Sequence, residues 1–157
     1  MVNRAVRALA IDYGRRRIGL ALSDATGTLA RPWRTIPREG PPDRVAATLA
    51  REIAALCSDG DGLGTVVVGL PRRLDGEPNE QTPHVLALIE HLRALVDVTI
   101  VTQDERLSSR EAESLLARRE KDWRKRKPLL DSTAAAVILQ DYLDGQPQPE
   151  LPEGEEM

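Results

Sequence analysis

The chain has 157 residues, of which 41% are hydrophobic, which suffices for one domain with a buried core but not for two. We expect one domain over residues 1–144, followed over 145–157 by an acidic, Pro- and Glu-rich tail that is disordered. No apolar run approaches the roughly 20 residues of a membrane span, which excludes an integral membrane protein. A single cysteine excludes an internal disulfide, and the first residues lack the apolar core of a signal peptide. A reducing cytoplasm is therefore predicted.

The net charge of -3 conceals an uneven distribution of charge. Residues 145–157 contain four glutamates and no basic residue, so the rest of the chain carries -3 minus -4, or +1. Within it, residues 118–127 contain seven basic and two acidic side chains, a local charge of +5. Such a patch can bind a phosphate backbone, although a solvated loop is the simpler interpretation.

The first third of the chain predicts three antiparallel strands and a helix. Apolar runs over 5–12 and 17–24 flank a glycine turn, and the turn at 24–27 leads into a third strand over 28–36. A proline-rich segment then ends the strands, and Asp43 is expected to cap a helix with a regular apolar face. That face consists of Val45, Leu49, Ile53 and Leu56.

A second helix is predicted after a buried strand. The segment 65–70 is short and β-branched, which is typical of a strand buried on both faces. Thr82 as the N-cap and Pro83 in the first turn are expected to begin the helix. Its apolar face is Val85, Leu88, Leu92 and Leu95.

The last third of the chain predicts one more strand and two helices. The strand covers 98–103, and Ser108 with Glu111 fits a capping box that would begin the first of the helices. The final helix is predicted to begin near Asp131 and to end at Gly145. The fold class is therefore α/β: a mixed five-stranded sheet, in which an antiparallel three-stranded meander adjoins parallel strands, flanked by helices.

Three acidic residues are expected to converge at one end of this sheet. Asp12 ends the first strand, Glu105 follows the last, and Asp131 begins the final helix, where the helix dipole tolerates negative charge. Ligands of such sheets gather at the carboxyl ends of the parallel strands. A divalent cation would remove the repulsion between the carboxylates, and hard oxygen ligands favour Mg²⁺ or Mn²⁺. Two such ions about 4 Å apart support phosphodiester cleavage, so the pattern indicates a nucleic-acid substrate.

Each acid also has a structural interpretation. Asp12 could only cap its turn, and Asp131 could only cap its helix. Neighbouring residues of a strand face opposite sides of a sheet, so only one of Asp104 and Glu105 can face Asp12, and we select Glu105. His84 and His91 are expected at the surface, and the remaining candidate nucleophile, Cys57, is expected to be a packed thiol.

Four short motifs occur in a fixed order between residues 5 and 145. They are Ile11-Asp12-Tyr13-Gly14 with Arg17-Ile18-Gly19; Val67-Val68-Gly69-Leu70-Pro71 with Asp75-Gly76; Asp104-Glu105-Arg106-Leu107-Ser108; and Asp131-Ser132 with Ile138-Leu139-Gln140-Asp141-Tyr142-Leu143. Together they resemble the YqgF/RuvX family. The resemblance implies a ribonuclease H-like fold and a bacterial cytoplasmic nuclease with Asp12, Glu105 and Asp131 as the metal-binding catalytic acids. Members are described as Holliday junction resolvases and as the nuclease that matures the 5′ end of pre-16S ribosomal RNA.

Basic residues near these acids are expected to contact nucleic acid. Segment 118–127 directly precedes Asp131, and Trp123 within it could stack on a base. Two departures from the family pattern put the shape or register of the substrate in question: Arg73 stands where Asn is frequent, and Lys127-Pro128-Leu129-Leu130 stands where Lys-Gly-Lys is frequent. The predicted contacts are Arg73, Arg106, Arg124, Lys125, Arg126 and Lys127.

The sequence thus leaves more than one function open. We favour an endonuclease that processes pre-16S ribosomal RNA. A Holliday junction resolvase acting on branched DNA is the first alternative, and it would require two active sites in a symmetric homodimer. A module that binds nucleic acid without catalysis is the second.

Overall fold

The computed structural model describes residues 6–71, 77–104, 114, 117–118 and 129–146. Within these ranges five strands and three helices are regular. The strands are β1 (Arg7–Tyr13), β2 (Arg17–Ser23), β3 (Ala30–Pro37), β4 (Leu63–Leu70) and β5 (Thr99–Asp104). The helices are α1 (Pro42–Ser58), α2 (Thr82–Arg93) and α3 (Leu130–Asp144).

The strands form one mixed sheet in the order β3-β2-β1-β4-β5. The pairs β1 with β2 and β2 with β3 are antiparallel, whereas β1 with β4 and β4 with β5 are parallel. The predicted meander beside parallel strands is therefore confirmed. Both parallel pairs require crossover connections, so helices must lie on the faces of the sheet.

Side-chain alternation along β1 divides the molecule into two cores. Leu9, Ile11 and Tyr13 pack in the larger core, beneath α1 and α2. Ala8 and Ala10 pack in the smaller core, against α3. Alanine at this surface lets α3 lie close to the sheet, because a strand of larger side chains would hold the helix further away. The same alternation places Asp12, two residues after Ala10, on the α3 side.

The predicted N-cap of α1 is wrong. Pro41 occupies the cap position of this helix, and Asp43 lies in the first turn. The proline that follows the cap has a backbone angle suited to the first helical position, and it has no N–H that needs an acceptor. The side chain of Asp43 is therefore not needed as a cap, although its charge is favourably placed near the helix N-terminus.

The predicted N-cap of α2 is also wrong. Thr82 is the first residue of the helix, and its Oγ1 donates to the carbonyl of Pro71 at 2.6 Å. Asn79 supplies the acceptor instead: its Oδ1 accepts hydrogen bonds from the backbone N–H groups of Gln81 at 2.8 Å and Thr82 at 3.2 Å. The threonine thereby ties the start of α2 to the end of β4.

Two predicted core residues are exposed. Cys57 is exposed because the buried face of α1 runs through Ile53 and Leu56, and the next position turns away from the sheet. Leu95 is 54% exposed because α2 ends at Arg93, so the helical periodicity no longer applies to it. The predicted exposure of His84 and His91 is confirmed.

The predicted end of α3 is confirmed. Gly145 follows the helix, and its backbone N–H donates to the carbonyl of Asp141 at 3.1 Å. The predicted capping box of Ser108 and Glu111 and the tail from residue 147 onward lie outside the described residues. In the part of the chain that the structure describes, no helix combines the length and apolar character of a membrane-crossing segment.

Candidate active site

The β1–β2 hairpin presents Asp12, and Arg38, which directly follows β3, holds its turn. The backbone N–H of Gly14 donates to the carbonyl of Arg17 at 3.0 Å, which closes the hairpin. Arg38 donates from Nη1 to the carbonyl of Gly14 at 3.0 Å and stacks 4.1 Å from the ring centre of Tyr13. Burial raises the pKa of Tyr13, and the nearby Arg38 charge opposes that rise. Arg38 thus links the turn after Asp12 to Tyr13, whose ring lies in the larger core.

Gly19 lets the start of α3 touch the sheet beside Asp12. Asp12 and Gly19 are partners across the β1–β2 ladder, and such partners have Cα atoms about 4.5 to 5.5 Å apart. A Cβ atom at Gly19 would lie 2.0 Å from the backbone oxygen of Asp131 and 3.0 Å from the backbone nitrogen of Ser132. Only glycine fits at this contact. Asp131 is therefore brought onto the patch of sheet where Asp12 emerges, although the two residues are far apart in sequence.

Asp131 is paired with a cation from the neighbouring strand. Nε of Arg17 donates to Oδ2 of Asp131 at 2.6 Å. The side chain of Arg17 is 46% exposed and that of Asp131 is 23% exposed, so the pair lies at the edge of the site. The carboxylate of Asp131 makes no capping hydrogen bond to α3, whose N-cap is Leu129. The interpretation of Asp131 as a helix cap is therefore wrong.

The face of β5 bears on the choice between Asp104 and Glu105. Ile100 packs against the larger core and Val101 against the smaller one. Alternation places Asp104 on the side of Ile100, opposite the side that Asp12 occupies. This register disfavours Asp104 as a partner of Asp12. Glu105 itself lies outside the described residues.

The donor set suits a divalent metal ion of the magnesium type. Asp12 and Asp131 carry carboxylates, whose hard oxygens are the ligands that Mg²⁺ and Mn²⁺ prefer. Among the described residues no three potential metal-binding side chains come together. The third predicted acid, Glu105, lies outside the described residues, so the assignment of the three acids stays a prediction.

The predicted nucleic-acid contacts also stay predictions. All of them lie outside the described residues: Arg73, Arg106, Arg124, Lys125, Arg126 and Lys127. Sequence reasoning missed Arg17, which it included in a motif but gave no role. A signal was present, because Arg15, Arg16 and Arg17 form a run of three cations that begins three residues after Asp12.

Comparison with known proteins agrees with this architecture. A family model described as RuvX, Holliday junction resolvase, matches residues 6–145. A relative from Chloroflexus aggregans, named as a candidate pre-16S rRNA nuclease, is 39% identical over 141 residues, covering 90% of this chain and 95% of the relative. A relative of the same name from Syntrophus aciditrophicus is 36% identical over 147 residues, covering 94% of each chain.

A solved structure shows the same fold at low sequence identity. The human cytomegalovirus terminase nuclease domain is 10% identical, with a TM-score of 0.52, covering 89% of this chain and 83% of that chain. The sheet, its helices and the family relationship define a ribonuclease H-like nuclease, an enzyme that hydrolyses phosphodiester bonds. The chain belongs to the RuvX Holliday junction resolvase family.

Proposed function

We propose that this chain is a divalent-metal-dependent endonuclease that processes the 5′ end of pre-16S ribosomal RNA in the cytoplasm. The observation that supports the proposal is the close contact of the Asp131 backbone with Gly19, the ladder partner of Asp12, in a chain whose relatives are named for this reaction. A nuclease of this type needs acidic side chains from separate elements at one place. In this fold, the end of β1 carries Asp12 and the start of α3 carries Asp131.

Each acid has a defined part in the proposed site. Asp12 is fixed by the β1–β2 ladder, Asp131 by the packing of α3 on Gly19, and Glu105 is the proposed third ligand. When bound, Mg²⁺ or Mn²⁺ would supply an activated water and charge stabilisation at the leaving oxygen. The carboxylates would hold and orient the metal ion. The strand and the helix that carry them are rigid, which limits the reorganisation needed during the reaction.

The substrate is tested by a direct comparison of two nucleic acids. Full-length protein is incubated with an RNA spanning the 5′ region of pre-16S ribosomal RNA and, separately, with a four-way DNA junction, each with Mg²⁺, Mn²⁺ or EDTA. We expect metal-dependent cleavage of the RNA at a defined position and no comparable cleavage of the junction. Recognition of structured RNA relies on shape and the 2′-hydroxyl, so a DNA copy of the RNA is expected to resist cleavage.

The other outcomes identify the alternatives. Paired symmetric cuts in the junction, with the RNA intact, would establish the resolvase that the family description names. That result requires a homodimer, which sedimentation of the protein on its junction would reveal. Tight binding of both nucleic acids that is independent of metal and yields no product would establish a binding module without catalysis.

The basic segment before α3 is expected to dominate the salt dependence of binding. Changing Arg124, Lys125 and Arg126 to Gln removes roughly three phosphate contacts, so the slope of log affinity against log salt should flatten by about 2 to 3. Fluorescence anisotropy of labelled RNA across a salt series measures this slope.

A matched charge change elsewhere separates local contact from net charge. The triple change of Arg44, Arg51 and Arg93 to Gln removes the same charge from exposed positions of α1 and α2, on the face opposite Asp12. We expect the control to shift the slope by less than about 1. Equal slopes for the two triple variants would show that the segment makes no specific contact with the substrate.

A further inference from the structure

We propose that Arg17 is a positioning residue that serves as a resident counter-ion for Asp131, is displaced when a divalent metal binds, and then contacts a substrate phosphate. This inference rests on the proposed nuclease function and extends it to a side chain with no assigned role. The contact that carries it is the hydrogen bond from Nε of Arg17 to Oδ2 of Asp131, at 2.6 Å. The same carboxylate is a proposed metal ligand.

The surroundings distinguish Arg17 from two nearby basic residues, Arg15 of the hairpin and Arg38 after β3. Arg15 pairs with Glu80 at 3.3 Å, and Arg38 is engaged by the Gly14 carbonyl and the Tyr13 ring. Neither of these contacts is to Asp131. Arg17, in contrast, is engaged by Asp131 itself. A guanidinium cannot lose its proton in a protein, so its charge always competes with a metal ion for that carboxylate.

The geometry allows the side chain to move while its backbone stays in place. The carbonyl of Arg17 accepts a hydrogen bond from the backbone N–H of Gly14, and Arg17 is the ladder partner of Pro37 in β3. The side chain nevertheless remains nearly half exposed, so solvent can replace its contact with Asp131. A divalent ion carries twice the charge of the guanidinium and is favoured at the carboxylate when present at sufficient concentration.

After displacement from Asp131, the Arg17 side chain would lie near the phosphate backbone of a bound nucleic acid. Its planar donor set matches two oxygens of a phosphate, and the arginine side chain is long enough to pivot from the carboxylate to a neighbouring group. The residue would then neutralise charge on the scissile phosphate. Arg17 would thus weaken metal binding in the free protein and assist the substrate complex.

Opposite effects of one substitution test this inference. In full-length Arg17→Gln we expect Mn²⁺, titrated alone and followed by the electron paramagnetic resonance of free Mn²⁺, to bind about three- to tenfold more tightly. Cleavage at saturating Mn²⁺ should fall by about tenfold or more, because the phosphate contact is lost. A purely structural ion pair would leave metal affinity unchanged or weaken it.

Arg16→Gln is the matched control, since it removes an exposed charge from the adjacent position of the same turn. Its Mn²⁺ affinity should stay within about twofold of wild type. Equal or weaker Mn²⁺ binding by Arg17→Gln, or absence of Mn²⁺ binding by wild type, would overturn the inference. If Arg17→Gln does not fold, Arg17→Lys is measured instead. The more strongly hydrated ammonium should pair less well and raise affinity about threefold, beyond the range of the control, and an affinity within that range would overturn the inference.

The two proposals can fail separately. Mn²⁺ affinity is measured without substrate, so it decides the role of Arg17 even if neither nucleic acid is cleaved. Absence of cleavage by wild type, together with tighter Mn²⁺ binding by Arg17→Gln, would overturn the nuclease proposal and the phosphate contact and leave Arg17 as the counter-ion of Asp131. A loss of cleavage in Arg17→Gln with unchanged Mn²⁺ affinity would overturn the role of Arg17 as a counter-ion and leave the nuclease in place.

Discussion

Asp12→Asn and Asp131→Asn are each expected to reduce cleavage by at least about a hundredfold while substrate binding is retained. The amide keeps the size of the side chain but loses the negative charge that holds a divalent ion. The packing of Ala8 and Ala10 on α3 does not involve either carboxylate, so the fold should be unaffected. Single-turnover cleavage of the RNA substrate measures the rate, and fluorescence anisotropy in the absence of metal measures binding.

Asp43→Asn provides a control for the charge change. Asp43 and Asp131 both lie in the first turn of a helix, but Asp43 belongs to α1, on the opposite face of the sheet. Loss of a favourable helix-dipole interaction costs each variant less than about 1 kcal/mol of stability. Only the Asp131 variant should lose cleavage. Cleavage that survives in both Asp12→Asn and Asp131→Asn would refute the assignment of these acids.

The sheet could be predicted from sequence because its signals are local. The short apolar runs of β1 and β4, bounded by turn residues, each predict a strand without reference to the rest of the chain. The helix starts were less predictable. Asp43 is a residue type that caps helices often, but Pro41 and Pro42 precede it and set the first turn themselves.

The candidate site was predictable in part. Asp12 and Asp131 stood out as acids at element ends, where a charged side chain needs a specific reason to lie beside a core. The pairing of Arg17 with Asp131 could not be predicted, because it joins residues 114 positions apart and depends on how α3 crosses the sheet. That crossing is set by the absence of a side chain at Gly19, which in sequence is only one glycine of a hairpin.

Gly19→Ala is expected to reduce cleavage by about a hundredfold and to lower the free energy of unfolding by about 1 to 3 kcal/mol. The added Cβ would lie 2.0 Å from the oxygen and 2.3 Å from the carbonyl carbon of Asp131. These are backbone atoms, so no side-chain rotation relieves the overlap, and the start of α3 must move away from β2. A displacement near 1 Å changes the spacing of the two carboxylates and removes much of the benefit of preorganisation. Urea unfolding and single-turnover cleavage measure the two effects.

Gly60→Ala is the matched control for this substitution. A Cβ at Gly60 meets no atom within 4 Å, so the same methyl group is added without overlap. We expect wild-type cleavage and a change in stability within about 0.5 kcal/mol. Both substitutions lower the conformational entropy of the unfolded chain alike, so a difference between the two variants reports the overlap at Gly19. If Gly19→Ala cleaved RNA at the wild-type rate, the placement of Asp131 against β2 could not be what sets the geometry of the site, and the contact at Gly19 would have only a packing role.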